Sequence, residues 1–164
     1  MATALDLDHR GDLFKLDALE QGVLELREIY ASPALHGWIT NVLPGMVSSW
    51  NIQLSPLEQF AALSEIFCSG ERLTYGQQFK PLMHVTDGIW QLKTDDLRIF
   101  GWFNRKDCFI GAVADDATRI KKYNLYPGYA NVTTKAFREI IDLDTPKYIP
   151  GDNPHAVVSN FDIP

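Results

Sequence analysis

Between residues 88 and 122 the sequence interleaves aromatic and cationic side chains. Trp90, Phe100, Trp102 and Phe109 stand among Lys93, Arg98, Arg105 and Lys106, with Arg119, Lys121 and Lys122 just downstream. Aromatic faces stack on unpaired bases and cations hold phosphates, so this mixture is a recipe for single-stranded RNA. Lys93, Trp102, Arg105, Lys106 and Arg119 are the RNA contacts it suggests. The plainer reading is that the aromatics are the core of a small sheet and the cations its solvated rim.

Other chemistries find less support. His9, His36, His84 and His155 are far apart, and neither Cys68 nor Cys108 stands at a ligand offset from any of them, so no metal site is expected. The acidic pairs Asp95-Asp96 and Asp115-Asp116 fall at strand ends, where aspartates gather for backbone reasons alone. There is no GxxxxGK[ST], GxGxxG or GxSxG. No cofactor is expected.

The elements that must position these residues can be read from periodicity. "GIWQLK" (88–93), "LRIFGWF" (97–103) and "CFIGAVA" (108–114) are rich in aromatic and branched residues and are separated by "TDD" and "NRKD". They predict a three-stranded antiparallel meander. In its middle strand Leu97, Ile99, Gly101 and Phe103 face one way and Arg98, Phe100 and Trp102 the other, so both faces need cover.

Ahead of the meander, "SPLEQFAALSEIFCSG" carries the strongest helix signature. Ser55 and Glu58 form a capping box, Pro56 sits in the first turn and Gly70 closes the end, with Leu57, Phe60, Ala61, Ser64 and Phe67 inward. "SPALHGWITNVL" (32–43) starts on Ser32 and Pro33 and stops at Pro44-Gly45. Residues 16–30 predict a further helix from Leu16, Leu19, Val23, Leu26 and Tyr30. After the meander, 115–126 predicts a short basic helix or an irregular arm. Residues 131–143 predict a helix with Val132, Ala136, Phe137, Ile140 and Ile141 inward. The Pro-rich last twenty residues read as an extended tail whose "HAVVSNF" can dock as an edge strand on this chain or on a partner.

Composition sets bounds on this reading. The 164 residues are 46% hydrophobic and 22% charged, which fits one folded domain. Two cysteines in apolar surroundings, an acidic start and no long apolar run predict a cytoplasmic chain with reduced thiols and no membrane contact. The net charge of −6 counts against a general nucleic-acid binder, but residues 88–122 carry +2. Phosphate affinity belongs in that middle third.

A helix, then "KPLMHVTDGIWQLKTDDLRIFGWFNRKDCFI", then a basic "RIKKY" resembles the RelE/ParE toxin superfamily, with its closest look to the HigB or phage gp49-like branch. The resemblance covers roughly residues 55–123 and rests on Lys80-Pro81-Leu82, Gly88 to Lys93, Leu97-Arg98-Ile99-Phe100, Phe109 to Ala112, and Lys121-Lys122. It implies helices followed by antiparallel strands. It also implies a ribosome-associated mRNA endonuclease controlled by a protein antitoxin. Carried over by position, Arg98 is the phosphate clamp, Lys121 and Lys122 are auxiliary cations, Tyr123 a stacking or proton-transfer group, and His84 the nearest histidine for a general base. The chain departs from the family's pattern in being longer and acidic, and the ends of the chain have no counterpart.

The expected fold is therefore α+β in a single domain. A RelE-like core at 55–123, with an antiparallel sheet of three to five strands, lies between a helical extension at 1–54 and a C-terminal helix and tail at 124–164. The expected function is that of a metal-independent, toxin-type endoribonuclease with an antitoxin partner, acting on messenger at the ribosome. The alternative is a non-catalytic phage or prophage accessory protein that captures a protein partner on the same scaffold.

Overall fold

The alternation read in residues 97–103 sets the architecture: Leu97, Ile99 and Phe103 join one buried cluster while Phe100 and Trp102 join another on the opposite face. The computed structural model describes residues 1–82 and 86–164. In chain order, helix α1 (Ala4–Arg10) precedes strands β1 (Phe14–Lys15) and β2 (Glu28–Ala31), and helices α2 (Pro33–Asn41) and α3 (Pro56–Ser69) follow. Next come β3 (Leu73–Thr74), β4 (Phe79–Pro81), β5 (Trp90–Lys93), β6 (Leu97–Arg105) and β7 (Cys108–Asp116). Helices α4 (Ala117–Tyr123) and α5 (Tyr126–Val132), a π-helical segment (Thr133–Arg138), α6 (Pro154–Val157) and β8 (Phe161–Asp162) complete the chain.

Strands β5, β6 and β7 form the expected antiparallel meander inside a sheet ordered β1-β2-β7-β6-β5-β4. The α+β fold is as the sequence predicts, but the sheet has six strands rather than three to five. Strand β4 comes from the mixed loop before the meander, and β1 and β2 come from the N-terminal third. Helices α2 and α3 cover one face through Leu35, Phe60, Leu63 and Phe67. Leu7 of α1, Ile120 of α4 and Ala130 of α5 cover the other.

The helix expected over 16–30 is absent: most of the segment is irregular, and its last three residues begin β2. Glu28–Ala31 pairs in parallel with Cys108–Gly111, and the Glu28 N–H bonds to Asp107 O at 2.9 Å. Helical spacing is a weak prior that tertiary pairing overrides. Here Gly22 adopts φ +90°, while Val23, Leu24 and Leu26 are left exposed. Arg27 turns inward instead. Its guanidinium donates to the carbonyls of Phe67, Glu71 and Asn160, tying the end of α3 to the tail.

Smaller departures have local causes. The Ser55–Glu58 capping box and the Gly70 stop of α3 are present as expected, yet Leu57 and Ala61 face solvent while Leu63 and Cys68 are buried. The C-terminal helix starts earlier than 131, and its π-helical segment turns Thr133, Thr134 and Arg138 inward while Val132 and Ile140 stay exposed. Extra residues per turn rotate the buried stripe away from the 3.6-residue register. Arg138 donates to Asp87 O and lies 3.6 Å over the Tyr148 ring. The tail docks on its own chain, with β8 parallel to β3. Cys68 and Cys108 are free and buried, and burial pushes both thiols up to about 12. Among the described residues no helix is long and apolar enough to cross a membrane.

Candidate anion-binding cleft

A β-hairpin places its charged residues at fixed positions, and the β5–β6 hairpin places two cations opposite each other. Lys93 and Arg98 are cross-strand partners. Like charges directly opposite are destabilising, so the pairing calls for a compensating anion. On its other side Arg98 stands opposite Asp115 of β7, a carboxylate engaged by Arg119 and Tyr129, and Asp95 borders the same hairpin turn. Among the described residues, no ion pair within 4.0 Å includes Lys93, Arg98 or Lys121.

These cations border an open cleft of about 1030 Å³. Lys93, Arg98 and the intervening Thr94 and Asp95 form one side, Lys121 reaches in from α4, and Arg72 lies before β3. The opposite wall is α3 through Ala62, Leu63 and Ile66, together with Trp50, Ile52 and Leu54 of the loop that precedes it. Arg98 is 7% exposed. Its Nη1 donates to Thr94 O at 2.6 Å and Leu97 O at 2.8 Å, while its buried Nε has no partner. Lys93 Nζ donates to Gly76 O at 2.7 Å, and the Lys93 N–H bonds to Gln78 O, which fixes the 74–78 turn against the hairpin. Burial, and after it the neighbouring charges of Arg98, Lys80 and Lys121, pull the Lys93 ammonium down to about 8.

Asp96 holds the cleft together from beneath. It is fully buried; its carboxylate accepts from Ser49 N–H at 3.0 Å and Gln59 Nε2 at 2.6 Å, and its carbonyl accepts from Ala117 N–H at 2.7 Å. One residue thereby joins the Trp50 loop, helix α3, the cationic hairpin and the start of α4. Asp116 caps α4 through Arg119 N–H, and Asp115 pairs with Arg119 and Tyr129. Asp96, Asp115 and Asp116 thus have structural work, whereas Asp95 borders the cleft. Among the described residues no group of three or more potential metal ligands occurs.

Of the residues singled out from sequence, Arg98, Lys121 and Lys93 meet in the cleft. Lys122 and Tyr123 are exposed on α4 outside it, with the Lys122 ammonium 5.3 Å from the Tyr123 ring. Arg105 pairs with Glu28, and Lys106 sits in the β6–β7 turn, at the far end of β6, about 25 Å from Arg98 by strand rise. Arg119 is committed to Asp115. Trp102 is 1% exposed, with its indole N–H bonded to Lys147 O, so its ring presents no face to a base. Trp90, Phe100 and Phe109 are equally buried. Packing two helical layers on a two-sided sheet consumes these aromatics. His84 lies outside the described residues. Sequence reasoning missed Trp50, Arg72 and the Asp96 junction, because loop residues carry no periodicity and their neighbours are distant in the chain.

The protein is thus an α+β chain whose six-stranded sheet carries, at one hairpin, a cleft where Lys93, Arg98 and Lys121 meet. Comparison with family models, curated proteins and solved structures gave no match for this chain.

Proposed function

We propose that the cleft binds an RNA phosphate and that the protein acts as a RelE/HigB-like, ribosome-associated mRNA endonuclease held in check by a protein antitoxin. The observation that carries this reading is the meeting of Lys93, Arg98 and Lys121 in one cleft, none of them in an ion pair within 4.0 Å among the described residues. Cytoplasmic action on messenger is part of the same proposal.

The chemistry asks for three things. A ribose 2′-OH must lose its proton, the departing 5′-oxygen must gain one, and the pentacoordinate phosphorane between them must be neutralised. Arg98 and Lys121 meet the last demand, Arg98 with a guanidinium already held by two carbonyls. Lys93 meets the first, since its pKa near 8 leaves a neutral fraction at neutral pH to accept the 2′-OH proton. The 2′-oxygen attacks phosphorus, the P–O5′ bond breaks, and the proton passes from Lys93 to the 5′-oxygen. The products are a 2′,3′-cyclic phosphate and a 5′-hydroxyl. The step as written does not call on Tyr123, which stands exposed beside the cleft lining.

Induced expression in a bacterial host tests the proposal, wild type beside Arg98→Ala, with growth and transcript integrity followed together. Growth arrest with cleaved messenger in wild type alone is the expected result. Normal growth and intact RNA with folded wild-type protein would overturn it and leave capture of a protein partner as the reading to pursue.

A further inference from the structure

The aromatic half of the RNA recipe is vacant where the sequence placed it, because the sheet aromatics are core. It is filled elsewhere. Of the four tryptophans, Trp90 and Trp102 are buried at 0% and 1%, whereas Trp50 is 58% exposed and borders the cationic cleft. A large exposed indole in a short loop is an unusual use of apolar surface unless something covers it.

The loop that carries Trp50 is fixed rather than free. Ser48 Oγ accepts from the N–H groups of Trp50 and Ile52, both at 3.2 Å. Ser49 N–H is bonded to the buried Asp96, one residue from Asp95 and two from Arg98 in the cationic hairpin. Asn51 takes a left-handed conformation, φ +54°, which turns the chain so that Ile52 and Leu54 join Trp50 on the wall. The indole and the buried Arg98 are therefore held on one frame. Such a pairing of a fixed aromatic with a fixed cation suits a nucleotide, whose base needs a π-face and whose phosphate needs a charge.

We infer that Trp50 is a nucleobase platform and that the cleft selects single-stranded nucleic acid, stacking an unpaired base on Trp50 while Arg98, Lys93 and Lys121 hold the adjoining phosphate. A base in a duplex already has both faces covered and cannot take the position. The inference rests on the phosphate-binding reading of the cleft. It adds a positioning residue to that reading, outside the segment on which the family resemblance stands.

Binding of a labelled six-nucleotide single strand with 2′-O-methyl riboses, which block cleavage, tests it. Wild type, Trp50→Ala, Trp50→Phe and Arg98→Ala are compared against this strand, its abasic counterpart and a hairpin duplex, with polyglutamate as competitor. Trp50→Ala should bind the strand roughly 5- to 100-fold more weakly while holding the abasic strand as wild type does, and Trp50→Phe should recover most of the loss. Arg98→Ala should weaken both strands. Equal loss of both in Trp50→Ala, or no loss of either, overturns the platform while Arg98-dependent binding keeps the phosphate reading standing. Binding of a hairpin whose stem is closed by a base-free linker, if as tight as that of the single strand, also overturns it. Displacement by polyglutamate at the same charge concentration as the abasic strand points to an acidic protein segment as occupant and overturns it likewise. No binding by wild type overturns the phosphate reading and the platform together.

Discussion

At the scale of single residues, the cleft turns on the protonation of Lys93. A lysine whose folded pKa lies at about 8, below its ordinary value of 10.5, disfavours its own charge in the folded protein. From this group alone, stability rises as pH climbs from about 8 to 10.5 and is lost as pH falls through 8. Anion binding runs the opposite way, because it needs the proton: affinity should be full below pH 8 and fall above it. Lys93→Met removes a half-buried charge that faces Arg98. We expect it to raise the midpoint of thermal unfolding at pH 7 by about 2–4 °C, corresponding to about 1 kcal/mol, while weakening oligonucleotide binding and flattening its pH profile near 8. Calorimetry and binding titrations from pH 6.5 to 9.5 check both halves. A lower melting point would mean that the bond to Gly76 outweighs the repulsion.

At the scale of elements, Asp96 decides whether the cleft exists. Its carboxylate joins α3 through Gln59 to the Trp50 loop through Ser49, and Gln59 Oε1 in turn accepts from the Asp96 N–H at 3.0 Å. Asp96→Ala strands buried donors on two elements and should cost about 3 kcal/mol of stability. Chemical denaturation measures that loss. Increased quenching of tryptophan fluorescence by iodide in the folded variant would report release of the loop. The meander has its own fixed point at Gly101, where a Cβ would stand 2.0 Å from Ile110 O and the register with β7 shifts. That bulge twists the strand pair, and its glycine follows from the close approach of the neighbouring backbone.

At the scale of the whole molecule, a net charge of −6 must coexist with a cationic cleft. The long-range field repels nucleic acid, so attraction is confined to close range and to the few phosphates the cleft reaches. With about three phosphate contacts on a single strand, log K should fall by about 2 per tenfold rise in salt. Titrations between 50 and 500 mM salt check the slope. A slope near zero would show that the cations do not touch phosphate. Loss through Arg98→Ala should lower the slope by about 0.7.

The Ser55–Glu58 capping box, the glycine stop of α3 and the two-sided alternation of β6 were legible in the sequence, because each is a local rule that the chain satisfies within a few residues. The pairing of Lys93 with Arg98 follows from the hairpin's short turn in the same way. Strand β2 was not legible: its apolar residues fit a helix, and only a partner eighty residues away makes them a strand. The aromatics of the meander showed their type but not their fate, since a ring that can stack on a base can as well be buried by a helix. Which tryptophan stays outside, and which cations stay unpaired, depends on packing and distance between remote segments. Only the folded chain sets those distances, and with them the cleft.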